Sequence, residues 1–513
     1  MQPIVRAFGA VLASSALVLG AGQTAFAAPE GQPEFKVGSI DWKPCEEMPV
    51  VDCGFLELPV DYAKPKGEKF QLAVSRRKAA DPAKRIGAMV INPGGPGGSG
   101  VSYSFADDVF SKEVYDKFDI IGFDPRGVAR TAPIVCSADL LGQRPSNYPK
   151  TKAEFDALVA HNKTLRADCR ARTGAIFDHA STAEVAQDID AIRRALGEKK
   201  INYYGVSYGT IMGQHYAERF GKNIRAMIID SNMDHSIGTR GFVASEARAS
   251  EDLFHEWVKW NERTPGAVFH GRDLRGIWKD LLARAERGEL HEPGLPDYKL
   301  TPEDLGSAVF GLSYGPNWQY LGEYVQQILD ANAGLATGSS LASQLKADET
   351  VRNPFPGIFC NDYNLRVRSW GEYQSLWRME QSVAPNTRGS SLGHSALMGC
   401  AGFPEATNPQ RPLKIKNSPK ILLTNAKYDP ATAYEWAVAA HEQSRDTTVF
   451  VTYEGWGHGV YDRSECTLKI NDEYLVSLKL PRDGTRCAAV EPSVESPSVL
   501  SAKPRPAGPY AVR

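Results

Sequence analysis

The stretch GVSYG, Gly205–Gly209, decides how this sequence is read. Its serine is either a nucleophile on a sharp strand-to-helix turn or a member of an ordinary glycine-rich loop. A near twin, GLSYG, spans Gly311–Gly315, so the pattern alone does not choose between the two. Context does. A nucleophile elbow needs a strand before it, a helix after it and small residues on both flanks, because the turn is tight and strained. Ser207 is preceded by INYYGV, a strand pattern, and followed by TIMGQHYAERF, a helical one. Ser313 follows TPEDLGSAVF, which reads as helix, and is followed by Pro316 and another helical pattern. The second motif therefore joins two helices, and Ser207 is the reactive serine.

Outward from Ser207 the chain alternates strands and helices in two blocks. The first holds a hairpin about Pro65-Lys66-Gly67, then the short apolar strands IGAMVIN, FDIIGFD, INYYGV and IRAMIID. STAEVAQDIDAIRRALG is a helix opened by a capping box, Ser181 with Glu184. The second block holds ILLTNA, a helix near TAYEWAVAAHEQ, and TTVFVTYEG. Strands that are apolar throughout and separated by helices imply a mostly parallel sheet with helices on both faces. Between the blocks, over 236–419, helical patterns dominate. Thr301-Pro302-Glu303-Asp304 is a helix start, and Leu321, Tyr324, Val325, Ile328 and Leu329 form an apolar stripe at helical spacing. The expected organisation is an α/β class core over 28–235 and 420–490, a helical cap over 236–419 inserted after the sixth core strand, and a Pro/Ser-rich tail over 491–513.

A serine needs a base to take its proton and an acid to orient that base. In a sheet of this kind the chain order is serine, acid, histidine. His458, in EGWGHGV, lies on a glycine-flanked loop just after a strand. His215 and His255 sit in helical patterns, and His235, in a loop soon after a strand, is the second choice. Asp429 follows ILLTNA in the run KYDPAT and is the expected acid. Asp230, at the end of the preceding strand, competes with it. The oxyanion hole is expected from the backbone N–H groups of Tyr208, next after the nucleophile, and of Gly95 in NPGGPGG. That loop lacks the Lys-Ser/Thr of a P-loop, and its glycines do not fit the dinucleotide fingerprint.

Bulk properties agree with a globular enzyme. The chain has 513 residues and a formal net charge of −2, so it has no field to gather nucleic acid or an anionic membrane. Residues 1–27 read as a secretory signal peptide: Arg6, an apolar run from Ala7 to Gly20, then Ala25-Phe26-Ala27 at the cleavage site. The apolar run is too short for a spanning helix, and no second membrane candidate follows. Export assigns the eight cysteines to disulfides, since none sits in a CxxC pair with histidines of zinc-site spacing. Sequence leaves the connectivity open. The shortest-loop choice is sequential: Cys45–Cys53, Cys136–Cys169, Cys360–Cys400 and Cys466–Cys487. No metal and no cofactor are expected.

INPGGPGGSG, FDPRGVART, YYGVSYGT, YDPAT, GWGHG and CAGFP stand in the order found in the secreted tripeptidyl aminopeptidases and their proline iminopeptidase relatives, which the chain resembles over nearly all of its mature length. The resemblance implies an α/β-hydrolase fold, metal-free hydrolysis near the free N-terminus of peptides, often with release of a tripeptide, and a cap that limits entry. Two segments depart from the family pattern: Gly127-Val128-Ala129-Arg130-Thr131, and Ser231-Asn232-Met233-Asp234-His235-Ser236. Both bear on substrate choice. An exopeptidase must also hold a cationic amine, which is costly to bury without an acidic partner. Asp362, two residues after Cys360, is the expected partner, with Glu380 as the other option. The expected substrate is a peptide; a small ester or amide cleaved by the same triad is the alternative, and a non-catalytic binding protein is disfavoured because every catalytic position holds the required residue type.

Overall fold

Apolar runs without alternation need cover on both faces, and the central strands have it. The computed structural model describes residues 35–333 and 350–495. The leader expected over 1–27 and residues 496–513 of the tail lie outside the described residues. Ten strands make one sheet: β1 (Lys43–Pro44), β2 (Asp52–Pro59), β3 (Lys69–Arg77), β4 (Gly87–Asn92), β5 (Phe118–Phe123), β6 (Ile201–Val206), β7 (Ile224–Asp230), β8 (Ile421–Tyr428), β9 (Thr448–Trp456) and β10 (Thr485–Cys487). Their order is β1-β2-β3-β5-β4-β6-β7-β8-β9-β10. The pairings β1–β2, β2–β3 and β3–β5 are antiparallel, and all the others are parallel. Every residue of β4, β5 and β6 is buried.

The two end strands escape a sequence reading because they are too short to show a period. Each lies beside a disulfide: Cys45–Cys53 at β1 and β2, and Cys466–Cys487 at β10. With β1 counted, the helical insertion follows the seventh strand rather than the sixth. The other two bridges, Cys136–Cys169 and Cys360–Cys400, complete the sequential set. Four disulfides fit an oxidising compartment, and among the described residues no helix is long and apolar enough to cross a membrane.

The three longest helices before the insertion are α1 (Lys152–Thr173), α2 (Thr182–Ala195) and α3 (Tyr208–Phe220). Tyr203 of β6 points to α3, where its hydroxyl donates to Gly209 O at 2.7 Å. The next residue, Tyr204, points the other way, into a cluster where Met89, Ile91 and Ile228 meet Val114 and Leu475 of the helices Lys112–Lys117 and Glu465–Ser477. The expected capping box of α2 does not form. The Ser181 hydroxyl donates to Glu184 Oε2 instead, and Glu184 Oε1 is 2.6 Å from His179 Nδ1. The first N–H of the helix goes to a carboxylate from the insertion, Asp362, as described below.

The insertion holds α4 (Thr239–Arg263), α5 (Pro302–Leu312), α6 (Trp318–Ala331), α7 (Pro354–Asp362), α8 (Trp370–Val383) and α9 (Ser391–Cys400). α5 opens on a full capping box in which Thr301 and Asp304 exchange bonds. Trp257, Trp260, Trp278 and Trp318 pack with Leu321, Val325 and Ile328 in a core that Trp456 of β9 joins. Part of the chain before β6 also enters this layer. Val135–Ser137 pairs with Thr350–Arg352, and Asn162 of α1 donates to Met398 O and Ala401 O at 2.8 and 2.9 Å. The sequence reading assigned this segment to the core, since a three-residue pairing across two hundred positions leaves no local pattern. Of the tail, Glu491 pairs with Arg263 and Pro492 O accepts from Trp260, both on α4.

Candidate active site

Ser207 joins β6 to α3 with φ 58° and ψ −125°, a conformation that L-residues adopt only under constraint, at about 1–3 kcal/mol. The constraint is visible. Ser207 N–H donates to Asp230 O at 2.9 Å, and Thr210 N–H donates back to Ser207 O at 2.9 Å. A Cβ at Gly205 would come within 2.6 Å of Gly209 O, and one at Gly209 within 2.7 Å of Asn92 O. Both flanking glycines are therefore required, as the strained turn implies.

His458 follows β9 between Gly457 and Gly459, which take φ of 101° and 75°. Its Nδ1 lies 2.9 and 3.0 Å from the two carboxylate oxygens of Asp429, and both side chains are buried. Asp429 Oδ1 also accepts the N–H groups of Ala431 and Thr432, each at 2.9 Å, so the carboxylate is fixed by its own turn. This arrangement places the ring proton on Nδ1 and leaves Nε2 as the basic nitrogen. Among the described residues no hydrogen bond joins the Ser207 hydroxyl to the His458 ring; such bonds commonly tighten only when substrate is held.

Asp230, the competing acid, braces the serine turn against the histidine loop. Its carbonyl accepts from Ser207, while its carboxylate accepts Val460 N–H at 3.0 and 2.9 Å and the Tyr204 hydroxyl at 3.0 Å. Burial pushes its carboxyl up to about 6. The neighbouring Ser231 adds a bond, its Oγ accepting Gly459 N–H at 2.8 Å. Ser231, first in the segment that departs from the family pattern, thus supports the histidine loop. His235, the second-choice base, is packed away against His215 and Tyr363, with Nε2 3.0 Å from Asp362 O. Burial drops its imidazole to about 4, so it stays neutral.

The twin motif has a use that its sequence did not reveal. Ser313 is the buried C-terminal cap of α5. The next residue, Tyr314, accepts His458 N–H at 2.8 Å through its carbonyl and sets its ring 5.1 Å from the imidazole, edge to face. Arg463 Nη2 donates to the same carbonyl at 2.8 Å. GLSYG is therefore a buttress of the histidine loop.

The loop after β4 lies directly on the elbow. A Cβ at Gly94 (φ 84°) would stand 2.8 Å from Tyr208 N and 2.9 Å from Ser207 Cβ. Gly94 N–H is held by Asn92 Oδ1, and Gly98 N–H by Gly94 O. Gly95 N–H and Tyr208 N–H have no acceptor among the described residues. Behind the loop, the Asp124 carboxylate of the FDPRG motif accepts from Ser99 Oγ, Val101 N–H and Arg130 N–H. Arg126 of the same motif is a buried clamp, 2.7 and 2.9 Å from Asp188 and donating to the carbonyls of Pro59 and Val60.

Of the two acids expected to hold a substrate amine, Asp362 has its acceptor sites filled and Glu380 keeps one oxygen, Oε1, without a partner. Asp362 is fully buried, and its oxygens accept Thr182 N–H (3.0 and 3.1 Å), Thr182 Oγ1 (2.9 Å), Tyr208 Oη (2.6 Å) and Asn408 Nδ2 (2.7 Å). Burial pushes its carboxyl up to about 6. It caps α2 and ties the insertion to Tyr208, the residue after Ser207. Asp362→Ala should strand these donors, each at about 1–3 kcal/mol, and lower stability by at least about 3 kcal/mol, read as a shift in the urea midpoint. Near-native stability together with weakened binding of free-amine peptides would return Asp362 to the substrate. Glu380 is buried on α8 and pairs with His394 Nδ1 at 2.7 Å. It lies within the cap layer, where His394 stacks on Tyr148.

A third acid, missed by the sequence reading, also carries an orphaned oxygen and lies near enough to Asp429 to feel its charge. Glu246 of α4 is fully buried; Oε2 accepts the Ser390 hydroxyl at 2.9 Å, and Oε1 has no partner. Burial, with the nearby negative charge of Asp429 against it, pushes its carboxyl well above the usual range. A signal existed. Glu246 lies four residues after Phe242 and seven before Leu253, on the buried face of its helix, where a carboxylate needs a reason. Among the described residues no group of three or more His, Cys, Asp or Glu side chains is arranged to hold a metal ion.

Comparison with known proteins agrees with this geometry. The family described as TAP-like protein matches residues 386–487, and the family described as alpha/beta hydrolase fold matches 87–311. A tripeptidyl aminopeptidase of Streptomyces lividans is 30% identical over 480 residues, covering 88% of this chain and 86% of the relative. Serine protease Hip1 of Mycobacterium tuberculosis is 29% identical over 520 residues, covering 93% and 96%. A carboxylesterase B of the same species is 28% identical over 509 residues, covering 91% and 92%.

Proposed function

Because the chain belongs to the TAP-like serine peptidases of the α/β-hydrolase fold, we propose that it is an exported aminopeptidase that releases short, tripeptide-type pieces from the free N-termini of peptides. Ser207 attacks the scissile carbonyl, and His458 takes its proton and delivers it to the leaving amine. Asp429 holds the imidazole and stabilises the cation that forms. The N–H groups of Gly95 and Tyr208 meet the oxyanion, and the acyl-enzyme on Ser207 is then hydrolysed by a water that His458 deprotonates. The observation that supports this reading most is the buried Asp429–His458 pair, 2.9 Å across, on a loop bonded through Asp230 to a serine held in a strained turn. The helical layer over 236–419 limits entry to short peptides and unfolded N-termini. Export fits the four disulfides and the leader-like residues 1–27.

Glu246 takes the substrate ammonium. Its Oε1 has no partner, it lies near enough to Asp429 to feel its charge, and an arriving cation would let it ionise and turn a costly burial into a pair. Glu246→Gln should therefore lower kcat/KM on free-amine peptides, relative to p-nitrophenyl esters, by about 30-fold or more, since breaking a buried charge pair costs about 2–5 kcal/mol. An unchanged ratio would remove Glu246 from the site.

The function itself is tested by mass spectrometry of a mixed peptide library after incubation with the enzyme. Fixed-length pieces lost from N-termini are expected. The carboxylesterase relative favours a second reading, an esterase with the same triad. Rapid ester cleavage with every peptide left intact would establish that reading and sink the first.

A further inference from the structure

A small apolar cluster stands apart from both large cores. Phe310 of α5, Leu392 of α9 and Ala431 are buried in it, and Tyr314 and Phe355 are only partly covered. Its members touch the proposed machinery from three sides. Tyr314 lies ring to ring on His458 and accepts its backbone N–H. Ala431 is two residues after Asp429 and donates its N–H to that carboxylate. Phe355 follows Pro354, whose Cγ would be 2.6 Å from a Cβ on Gly97, so this end of α7 presses on the oxyanion loop. The patch therefore borders the turn of Asp429, the loop of His458 and the loop of Gly95 at once. It contains no charged side chain, and its two incompletely covered members are aromatic.

We infer that this cluster is the subsite for the side chain on the acyl side of the scissile bond, and that it selects a bulky apolar residue there, of the size of leucine, phenylalanine or proline. The inference rests on the proposed peptidase function and adds the preference at the cleaved bond. Burying a leucine-sized side chain on such a surface is worth about 1.5–3 kcal/mol, whereas a charged side chain meets no partner among the five residues. Gly97 keeps the approach of Pro354 possible: at φ 111°, any side chain there would both strain the backbone and push α7 off the loop.

The test compares tripeptidyl p-nitroanilides that differ only in the third residue, in the wild-type enzyme and in Phe355→Ala. In the wild type, kcat/KM for leucine or phenylalanine at that position is expected to exceed that for glycine, aspartate or lysine by at least about 10-fold. In Phe355→Ala the leucine-to-glycine ratio is expected to fall by about 10-fold, mostly through KM for the larger side chain. A wild-type preference for a charged or minimal residue overturns the inference even if the variant fails to fold. So does a ratio that a folded variant leaves unmoved. A parallel series of p-nitrophenyl acyl esters, from acetyl to hexanoyl, separates the two levels of the argument. Intact anilides beside faster cleavage of the longer acyl chain would keep the subsite and remove the peptidase. Cleaved anilides without an apolar preference would do the reverse.

Discussion

Ser207→Ala is expected to lower kcat by about 10⁶-fold on chromogenic peptide amides and esters alike, and to leave the fold in place. The fold should survive because alanine keeps the Cβ and so neither relieves nor adds to the strain at φ 58°. The three bonds that pin this residue are all made by its backbone, to Asp230 O and from Thr210 N–H and Oγ1. Ser313→Ala is the matched control. That hydroxyl accepts only a long bond, 3.4 Å, from Trp318 Nε1 inside the cap, so activity should stay within about threefold of wild type. A fluorophosphonate should label the wild type and Ser313→Ala and leave Ser207→Ala unlabelled, as read by intact mass. Label on Ser313, or turnover surviving in Ser207→Ala, would end the serine-elbow account.

That the two motifs separate on sequence alone is instructive. Each is GxSYG, but only one has a strand of apolar residues before it and a helix after it, and these are local facts of composition and period. Long-range partnership is not local. Nothing in KYDPAT or IRAMIID says which aspartate faces the imidazole. What separates them is that Asp429 is offered to Nδ1 by its own turn, while the Asp230 oxygens are taken up by Val460 N–H and Tyr204. The same holds for Asp362. A cysteine two residues away suggested a fixed position but could not reveal that Thr182, Tyr208 and Asn408 fill its acceptor sites. Glu246 was legible in principle, as a carboxylate on the apolar face of α4, but in SEARASE it is surrounded by small and polar residues that mask the periodicity. The capping box at Ser181 failed for a related reason: His179 and Asp362, one local and one distant, compete for the groups that would close it.

Asp429→Asn should cost about 10⁴-fold in kcat with little change in stability, because the amide favours the wrong imidazole tautomer while filling the same space. Asp230→Asn is the decisive partner of this experiment. Its effect on kcat should be about tenfold or less, arising from a looser Val460 loop, and its signature should lie in stability against pH. With its folded value at about 6 against an ordinary 3.8, the Asp230 carboxyl binds a proton more tightly in the native state than in the unfolded chain. The stability it contributes is full below about 4 and is lost as pH rises through 6, a difference of about 3 kcal/mol at about 1.4 kcal/mol per unit. The asparagine variant does not titrate. Wild type should therefore gain on it by about 2.5 kcal/mol between pH 7 and pH 4, measured as the difference between their urea-unfolding free energies at each pH. If instead Asp230→Asn lost activity on the scale of 10⁴ while folded, and Asp429→Asn kept it, the imidazole would be served by the strand-end aspartate, and the turn after β8 would be the brace.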